Sequence, residues 1–280
     1  MADPRAIPDP TPAGSAGSER IAAAFAGHSK QAALMPYLMG GFPDLPTSRR
    51  IGEASLQAGA DVLEVGIPFS DPLADGPVIH DAGTRALAAG ATPAGVLDVA
   101  GQLADQGPVV VMCYANLVLA RGPARFAEAL EARGISGLIV PDLPFEESEA
   151  VLEACDAHGV ALIPLMAPTS SDERMTLIGD RARGFVYAVS VTGTTGERSA
   201  LSDQFGALVR RAAAHTQLPV AVGFGIATPE QAAEAARAGA DGVIVGSRLV
   251  RAAAEADAAG DDPAAAVDEL VGALARGLAR

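Results

Sequence analysis

Two acidic residues of this sequence, Glu64 and Asp75, have the spacing expected of groups that act together on a substrate. Glu64 lies within the short apolar run Val62–Gly66, which predicts a buried strand, and Asp75 lies in the loop that follows. Three prolines restrict that loop, so that it carries Asp75 back toward the end of the same strand. Two carboxylates held in this way can act as general acid and general base.

Glu64 is the only charged residue within Val62–Gly66. Burial there disfavours the ionised carboxylate and raises its pKa, which suits Glu64 to proton transfer near neutral pH. The alternative is a carboxylate neutralised by an arginine of a neighbouring strand, but none of the predicted strands contains an arginine. For Asp75 the alternative is a side chain that fixes the turn by accepting backbone N–H bonds, a role that Asp71 suits better.

Apolar runs alternate with Ala-rich helical patterns along the chain, and these elements must position the acids. The predicted strands are Ala33–Met39, Val62–Val65, Val109–Cys113, Gly137–Val140, Ala161–Leu165, Gly184–Val189, Val220–Val222 and Gly242–Val245. The predicted helices are Ser48–Gln57, Thr92–Gln102, Gly122–Arg133, Glu146–Ala157, Ser171–Ile178, Asp203–Ala214, Pro229–Arg237 and Ser247–Ala256. Eight strands, each followed by a helix, predict an α/β fold of the (β/α)8 TIM barrel type.

We expect a single barrel domain over residues 21–280, with an extra N-terminal helix. Residues 1–20 are rich in Pro, Ala, Ser and Gly, and we expect them to form a disordered leader. The alternative fold, a doubly wound open sheet, would carry a GxGxxG turn after its first strand. Gly40–Asp44 lacks that spacing, which favours the barrel.

A weak internal repeat also bears on the fold. Gly59–Gly66 resembles Gly239–Gly246, and Gly134–Val140 is a looser third copy. In each copy we expect the first glycine to end a helix in a left-handed conformation, with a buried strand after it. Turns from helix to strand commonly look like this, so the repeat informs the fold rather than the function.

The three tyrosines lie near the ends of predicted strands, where a barrel has its mouth. Tyr187 can place its hydroxyl in that mouth or pack in the barrel core, and the sequence leaves both roles open. Tyr37 and Tyr114 are expected to line a pocket. With Phe69 and Leu138 they indicate an apolar or aromatic ligand.

The last two predicted strands are followed by turns that could hold a phosphate. Gly223–Pro229 follows the seventh strand, and Gly246 and Ser247 follow the eighth. Glycines let the backbone approach an anion closely, and the helix that starts at Ser247 adds its positive dipole end. Barrel enzymes often bind phosphate at this pair of turns. The polar stretch Ser190–Arg198 predicts a mobile lid over that site, the alternative being an ordinary surface loop.

Composition excludes several classes of protein. A net charge of −14 leaves no basic face for nucleic acid. No apolar run reaches the ~18 residues of a membrane span, and the N-terminus lacks the features of a signal peptide, so we expect a cytoplasmic protein. The four histidines form no metal-binding pair, so no metal site is predicted. Cys113 and Cys155 lie in apolar segments and are predicted to be buried free thiols.

The segment Glu64–Pro77, with the core PFSDPLADGP, resembles a highly specific signature of the tryptophan synthase α subunit family. The resemblance runs from about Ala33 to the C-terminus. Further matching segments, in the expected order, are Tyr114–Asn116, Pro141–Pro144, Gly223–Ile226 and Gly246–Ser247. The resemblance implies a lyase that cleaves indole-3-glycerol phosphate into indole and glyceraldehyde 3-phosphate. It also implies an αββα complex with a β subunit that carries PLP and makes tryptophan, and no cofactor in this chain.

The resemblance also implies roles for individual residues. Glu64 would move the proton to and from C3 of the indole ring, and Asp75 would hold the indole N–H and stabilise positive charge. The family's tyrosine near the glutamate falls on Tyr187. Phosphate contacts would fall on Gly196, Gly225, Gly246 and Ser247, and the lid threonine on Thr195. Tyr37 and Tyr114, which their strand positions place at the pocket, are the other predicted substrate-binding residues. Val191 stands where many members have arginine, and Tyr37 where many have phenylalanine.

The shortage of lysine agrees with this chemistry. Cleavage of an aldol needs an electron sink, usually a lysine imine or a metal. Lys30 is the only lysine, and it lies in an N-terminal segment that we expect to be helical. An indole ring that accepts a proton becomes the sink itself, so that carboxylates suffice.

Two other functions remain as alternatives. A phosphate-binding barrel isomerase or synthase would share the phosphate turns but would not need the Glu64–Pro77 loop. Indole-3-glycerol phosphate synthase would be expected to use a lysine inside the barrel. A non-catalytic, ligand-sensing subunit would keep the fold, but the intact Glu64 and Asp75 argue against it.

Overall fold

The chain forms a parallel barrel surrounded by helices. The computed structural model describes residues 15–189, 198–223 and 225–280. The strands are β1 Ala33–Met39, β2 Leu63–Gly66, β3 Val109–Met112, β4 Gly137–Ile139, β5 Ala161–Ile163, β6 Leu165–Met166, β7 Val186–Val189, β8 Val220–Gly223 and β9 Gly242–Val245. They pair in the order β5-β4-β3-β2-β1-β9-β8-β7-β6, and all pairs are parallel.

The two ends of this sheet, β5 and β6, are consecutive in the chain and are separated by Pro164 alone. The predicted fifth strand, Ala161–Leu165, is therefore present but interrupted, because proline has no N–H to donate to a neighbouring strand. The Pro164 carbonyl still accepts a hydrogen bond from the Tyr187 backbone N–H at 3.0 Å. The interrupted strand thus closes the sheet, and the predicted (β/α)8 barrel is confirmed.

Helices cover the outside of the barrel. They are α1 Ala16–Gly27, α2 Leu45–Gln57, α3 Pro77–Ala88, α4 Pro93–Ala104, α5 Ala115–Arg121, α6 Pro123–Glu131, α7 Glu149–Ala157, α8 Asp172–Arg181, α9 Arg198–Ala213, α10 Pro229–Arg237, α11 Ser247–Ala259 and α12 Pro263–Gly277, with one 3-10 turn at Phe145–Glu147. All eight predicted helices are present. Within the described ranges, no helix is both long and apolar enough to cross a bilayer.

Three helices, α3, α5 and α12, were not predicted. The sequence does mark the start of two of them, because α3 begins at Pro77 and α12 at Pro263. Proline at this position needs no N–H partner and has a suitable φ. The Asp262 side chain also caps α12 by accepting a hydrogen bond from Ala264 N at 3.1 Å.

The boundary of the expected leader was wrong. Residues 16–20 were assigned to a disordered segment, but they form the first turns of α1. The Ser15 side chain caps this helix by accepting a hydrogen bond from the Ser18 backbone N–H at 3.2 Å. Residues 1–14 lie outside the described part of the chain.

Helix α1 closes the N-terminal end of the barrel. Ile21 is fully buried among the residues of the barrel interior, and the Phe25 ring packs against Phe185 at a centroid distance of 5.7 Å. The Arg20 guanidinium donates hydrogen bonds to the carbonyls of Gly134, at 2.6 Å, and Ala104. Helix α1 is thus part of the barrel core.

The internal repeat has the expected backbone geometry at its glycines. Gly59 follows α2 with φ 112°, Gly239 follows α10 with φ 102°, and Gly134 follows α6 with φ 66°. Positive φ is costly for any residue with a side chain, so these positions favour glycine. Each chain segment can then turn back from a helix into the next strand.

The aspartates of the repeat hold the N-terminal ends of the strands. Asp61 Oδ2 accepts a hydrogen bond from Leu34 N at 2.7 Å, and Asp241 Oδ2 accepts one from Val220 N at 2.9 Å. Each aspartate stands just before a strand, and its carboxylate binds the start of the preceding strand, β1 for Asp61 and β8 for Asp241. The repeat is explained by the fold.

Lys30 lies at this same N-terminal end of the barrel. It follows α1 rather than lying in a helix, because the chain there forms an isolated bridge to Ala279. Its Nζ donates to Asp61 Oδ1 at 2.9 Å. The only lysine is therefore held at the end of the barrel opposite Glu64 and is not placed for imine chemistry.

Replacement of Ile21 by alanine tests the role of α1. We expect the free energy of unfolding to fall by about 3 kcal/mol, because a buried side chain is lost and a cavity is left at the base of the barrel. Urea denaturation measures this change. Leu177→Ala is the matched control, since Leu177 is 52% exposed and its loss costs less than about 0.5 kcal/mol. Equal effects of the two substitutions would contradict the docking of α1.

Candidate active site

Three site residues lie on inward-facing positions near the carboxyl ends of the strands. Met35, Val62 and Phe185 belong to the interior cluster of the barrel. Side chains two positions apart on a strand share a face, so the residues two positions later also point inward. Those residues are Tyr37, Glu64 and Tyr187, which places a glutamate and two tyrosines inside the mouth of the barrel.

Glu64 is a buried carboxyl group with an unsatisfied oxygen. Its side chain is 1% exposed, and Oε2 has no hydrogen-bond partner among the described residues. Burial raises the pKa of Glu64 to about 8. The alternative of a carboxylate neutralised by arginine is therefore wrong, since desolvation is the cause of the shift. At neutral pH the side chain is mostly protonated and can donate a proton.

Tyr37 lies beside Glu64 as its register partner on β1. Its hydroxyl lies against the backbone of Gly66, where a Cβ would overlap it, and contacts Met39 Sδ at 4.0 Å. Burial, followed by the nearby Asp75 and Glu64 carboxyls, raises the pKa of Tyr37 well above its usual value. The hydroxyl therefore keeps its proton close to both acids.

Tyr187 faces the same space from β7. Its hydroxyl lies against Gly223, the last residue of β8, where again a Cβ would overlap it. Burial, and then the charges of Glu64 and Tyr37, raise the pKa of Tyr187. Both roles left open by the sequence apply, because the ring packs in the barrel core while the hydroxyl lies near Glu64.

Asp75 lies in the loop between β2 and α3 and is half-buried. The pKa of Asp75 is raised, because burial outweighs the hydrogen bond from Tyr114 and the nearby His80, both of which lower it. The Tyr114 hydroxyl donates to Asp75 Oδ1 at 2.9 Å. The loop thus brings Asp75 back toward the barrel mouth, as its prolines predicted.

Tyr114, the residue before α5, contacts this loop in two further ways. Its hydroxyl accepts a hydrogen bond from the Ala74 backbone N–H at 3.0 Å, and its ring stacks on Phe69 with a centroid distance of 5.4 Å. The expected neighbour Leu138 is not part of this pocket. It alternates with the inward-facing Ile139 and packs toward the helices, so that expectation was wrong.

Some contacts of the site could not be found from the sequence. Asp142 Oδ1 accepts a hydrogen bond from Ala115 N, at the start of α5, at 2.8 Å. Its segment was noted only as part of a family motif. His80 reaches Asp75 because α3, which was not predicted, follows the loop directly. Asp71 accepts a hydrogen bond from the Ser70 hydroxyl at 2.6 Å and is exposed.

The two glycine turns after β8 and β9 differ in how their helices are capped. Helix α10 has a capping box in which Thr228 and Gln231 satisfy its first N–H groups. Helix α11 begins after Gly246, with no side-chain cap, so its N-terminus is the open one. An anion near Ser247 would find free N–H groups there. Gly225, with φ 82°, lies in the turn beside it.

Part of the predicted site is not described. Thr195 and Gly196 lie outside the described residues, as does Phe224 of the turn after β8. Val191 and most of the predicted lid are in the same range. For these residues the sequence predictions stay predictions.

Cys113 and Cys155 are both buried and free, as predicted. Burial raises the pKa of each thiol, so neither is reactive near neutral pH. In the part of the chain that the structure describes, no three His, Cys, Asp or Glu side chains are grouped to hold a metal ion.

Comparisons with known proteins identify the family. A family model described as "Tryptophan synthase alpha chain" matches residues 24–278. The tryptophan synthase alpha chain of Prochlorococcus marinus (strain MIT 9313) is 49% identical over 228 residues, which cover 80% of this chain and 82% of that protein. That of Gloeobacter violaceus is 49% identical over 241 residues, covering 85% and 87%.

Solved structures show the same fold. A structure of Mycobacterium tuberculosis tryptophan synthase is 39% identical with a TM-score of 0.84, covering 93% of this chain and 98% of its own. Tryptophan synthase subunit alpha from Legionella pneumophila is 37% identical with a TM-score of 0.85, covering 92% and 98%. Sequence and fold agree, and this chain belongs to the tryptophan synthase alpha chain family.

Proposed function

We propose that this chain cleaves indole-3-glycerol phosphate to indole and glyceraldehyde 3-phosphate, with Glu64 and Asp75 as the acid–base pair. The observation that carries the proposal is Glu64, a buried carboxyl at the barrel mouth with an unpartnered oxygen and a pKa of about 8. Membership of the tryptophan synthase alpha chain family supplies the reaction.

Glu64 is suited to two proton transfers in this reaction. Protonated at neutral pH, it donates its proton to C3 of the indole ring, which becomes an indolenine cation. The bond between C3 and the glycerol chain then breaks, its electrons return to the ring, and the adjacent hydroxyl loses a proton as its carbon becomes an aldehyde. The Glu64 carboxylate can accept that proton, which restores the starting acid.

Asp75 is suited to the charge that develops on the ring. Its carboxylate accepts one hydrogen bond from Tyr114, and its other oxygen can accept the indole N–H. A negative charge beside the ring nitrogen stabilises the indolenine cation. We assign Tyr187 to the same reacting centre, because its protonated hydroxyl lies near Glu64.

The remaining predicted positions are assigned to binding. Tyr37 and Tyr114 line the space for the indole ring, and Gly246 and Ser247 present the open N-terminus of α11 to the phosphate. Gly225 lies in the neighbouring turn. Gly196 and Thr195 belong to this proposal on the sequence resemblance alone. Backbone groups suit this task in a chain of net charge −14.

The chain works with a partner. As a tryptophan synthase alpha chain it assembles with the β subunit. On the sequence resemblance, we propose an αββα complex in which the β subunit uses PLP to make tryptophan from the released indole. We propose that this chain itself needs no cofactor, because the substrate ring serves as the electron sink. A cytoplasmic location and a single catalytic domain are also part of the proposal.

Replacement of Glu64 by glutamine tests the role of its carboxyl group. We expect indole release from indole-3-glycerol phosphate to fall at least about 1,000-fold, because an amide cannot transfer the proton. Affinity for glyceraldehyde 3-phosphate should stay within about twofold, because that ligand does not need the acid. Glu53→Gln on α2 is the control and should retain activity, since Glu53 pairs with Arg49 on the outer surface. Normal indole release by the Glu64 variant would refute the assignment.

The pH dependence of the reaction gives a second test. Burial raises the pKa of Glu64 to about 8, so the proton-donating form is lost as pH rises through that value. We therefore expect kcat/KM for indole release to fall above about pH 8. Glyceraldehyde 3-phosphate affinity, measured across the same range, controls for a general loss of binding. A rate that stays level to pH 10 would contradict the assigned proton donor.

Hydrogen exchange tests the contact with the β subunit. We expect the backbone amides of residues 66–77 to exchange more slowly in the complex, because this loop carries Leu73, which is 86% exposed in the isolated chain. Mass spectrometry of the chain with and without the β subunit measures the change. Amides of α1, at the opposite end of the barrel, are the control. Unaltered exchange in residues 66–77 would argue against this loop as a contact.

A further inference from the structure

Tyr114 uses both hydrogen-bonding functions of its hydroxyl on the loop of residues 66–77. The hydroxyl donates to Asp75 Oδ1 at 2.9 Å and accepts from Ala74 N at 3.0 Å. Its ring stacks on Phe69, near the start of the same loop. One buried side chain therefore contacts the loop at three points, one of them the Asp75 carboxylate.

The segment after β4 holds Tyr114 in turn, through the residue that follows it. It is the N-cap residue of α5, and its side chain makes no capping bond, because it is turned toward Asp75. The first N–H group of that helix, on Ala115, is instead bound by Asp142 Oδ1 at 2.8 Å. Asp142 follows β4, so it ties the α5 start to a different part of the barrel.

We propose that Tyr114 is a positioning residue for Asp75, and that Asp142 holds Tyr114 in place through the N-terminus of α5. This inference rests on the proposed function, since it concerns the same carboxylate. It gives the Tyr114 hydroxyl a task distinct from lining the indole pocket. The contacts run from Asp142 to Ala115 N, along the chain to Tyr114, and across a hydrogen bond to Asp75.

The arrangement fixes the free oxygen of the carboxylate. A carboxylate on a loop can rotate and swing, and each alternative orientation lowers the fraction of molecules ready to react. With Oδ1 bound to Tyr114, Oδ2 is left to accept the indole N–H. Burial raises the pKa of the Tyr114 hydroxyl, so it stays protonated and remains a donor.

Other titratable groups also face Asp75. They are Tyr37 on β1 and His80 on α3, besides Tyr114 itself. The hydrogen bond from Tyr114 favours the ionised carboxylate and so lowers the pKa of Asp75. Loss of this donor should therefore raise the pKa of Asp75, whichever of the other groups is charged.

Steady-state kinetics of Tyr114→Phe test the proposal, because this variant keeps the ring and its stacking but loses the hydroxyl. We expect kcat for indole release to fall about tenfold, because the variant lacks a hydrogen bond to the charged Asp75 that orients it for the reaction. We expect KM to stay within about twofold, because this bond does not hold the substrate. We also expect the acid limb of the kcat–pH profile to move to higher pH.

Asp142 provides a matched pair of variants. Asp142→Ala removes the acceptor for Ala115 N, and we expect the same direction of change in kcat and in the acid limb as for Tyr114→Phe. Asp142→Asn keeps an acceptor oxygen and should restore most of the activity. In the Tyr114→Phe background, Asp142→Ala should lower kcat little further, because both substitutions act through one hydroxyl. Thermal unfolding of each variant identifies any that fail to fold.

The outcomes separate this inference from the proposed function. An unmoved acid limb in Tyr114→Phe, or a change in KM alone, would overturn it and leave Tyr114 as a pocket residue. Equal losses in Asp142→Asn and Asp142→Ala would overturn the role of Asp142. If the unaltered chain released no indole from indole-3-glycerol phosphate, the proposed function itself would fail.

Discussion

A buried carboxyl group, with one oxygen that has no hydrogen-bond partner among the described residues, is the feature on which the rest of the site depends. Removing Glu64 from water is tolerated because the side chain remains neutral, and its raised pKa of about 8 records the cost of ionising it there. The surroundings preserve this state. No arginine or lysine reaches it in the described residues, the only lysine being bound to Asp61 at the other end of the barrel.

The two acids differ because their surroundings differ. Glu64 is rigidly placed on a strand and has lost its hydration, whereas Asp75 is half-buried on a loop and is offered a hydrogen bond by Tyr114. Two carboxyls of similar intrinsic acidity can therefore take different tasks, one giving a proton and one holding a negative charge. The glycines at the ends of β2 and β8 make space for the tyrosine hydroxyls that face these acids.

The order of elements was predictable because each carries a local signal. Buried strands of a parallel barrel are continuous apolar runs, and helix starts are marked by proline or a capping side chain. Errors arose where two signals overlapped. Ser15 caps a helix inside a segment whose composition predicts disorder, and Pro164 interrupts a strand whose apolar pattern runs on. The extra helices α3 and α5 begin at the ends of motif-bearing segments, Glu64–Pro77 and Tyr114–Asn116, where no separate helical pattern is visible.

The sequence by itself determined the barrel and predicted the pair Glu64 and Asp75, since these depend on residue type, order and spacing, whereas the place of Lys30 beside Asp61 came from the structure. Only the tertiary structure decided that Glu64 Oε2 has no partner and that Leu138 faces the helices. It alone also showed that Asp142 reaches the start of α5. Hydrogen bonds between residues far apart in the chain depend on side-chain direction and on closure of the barrel, which no local pattern encodes.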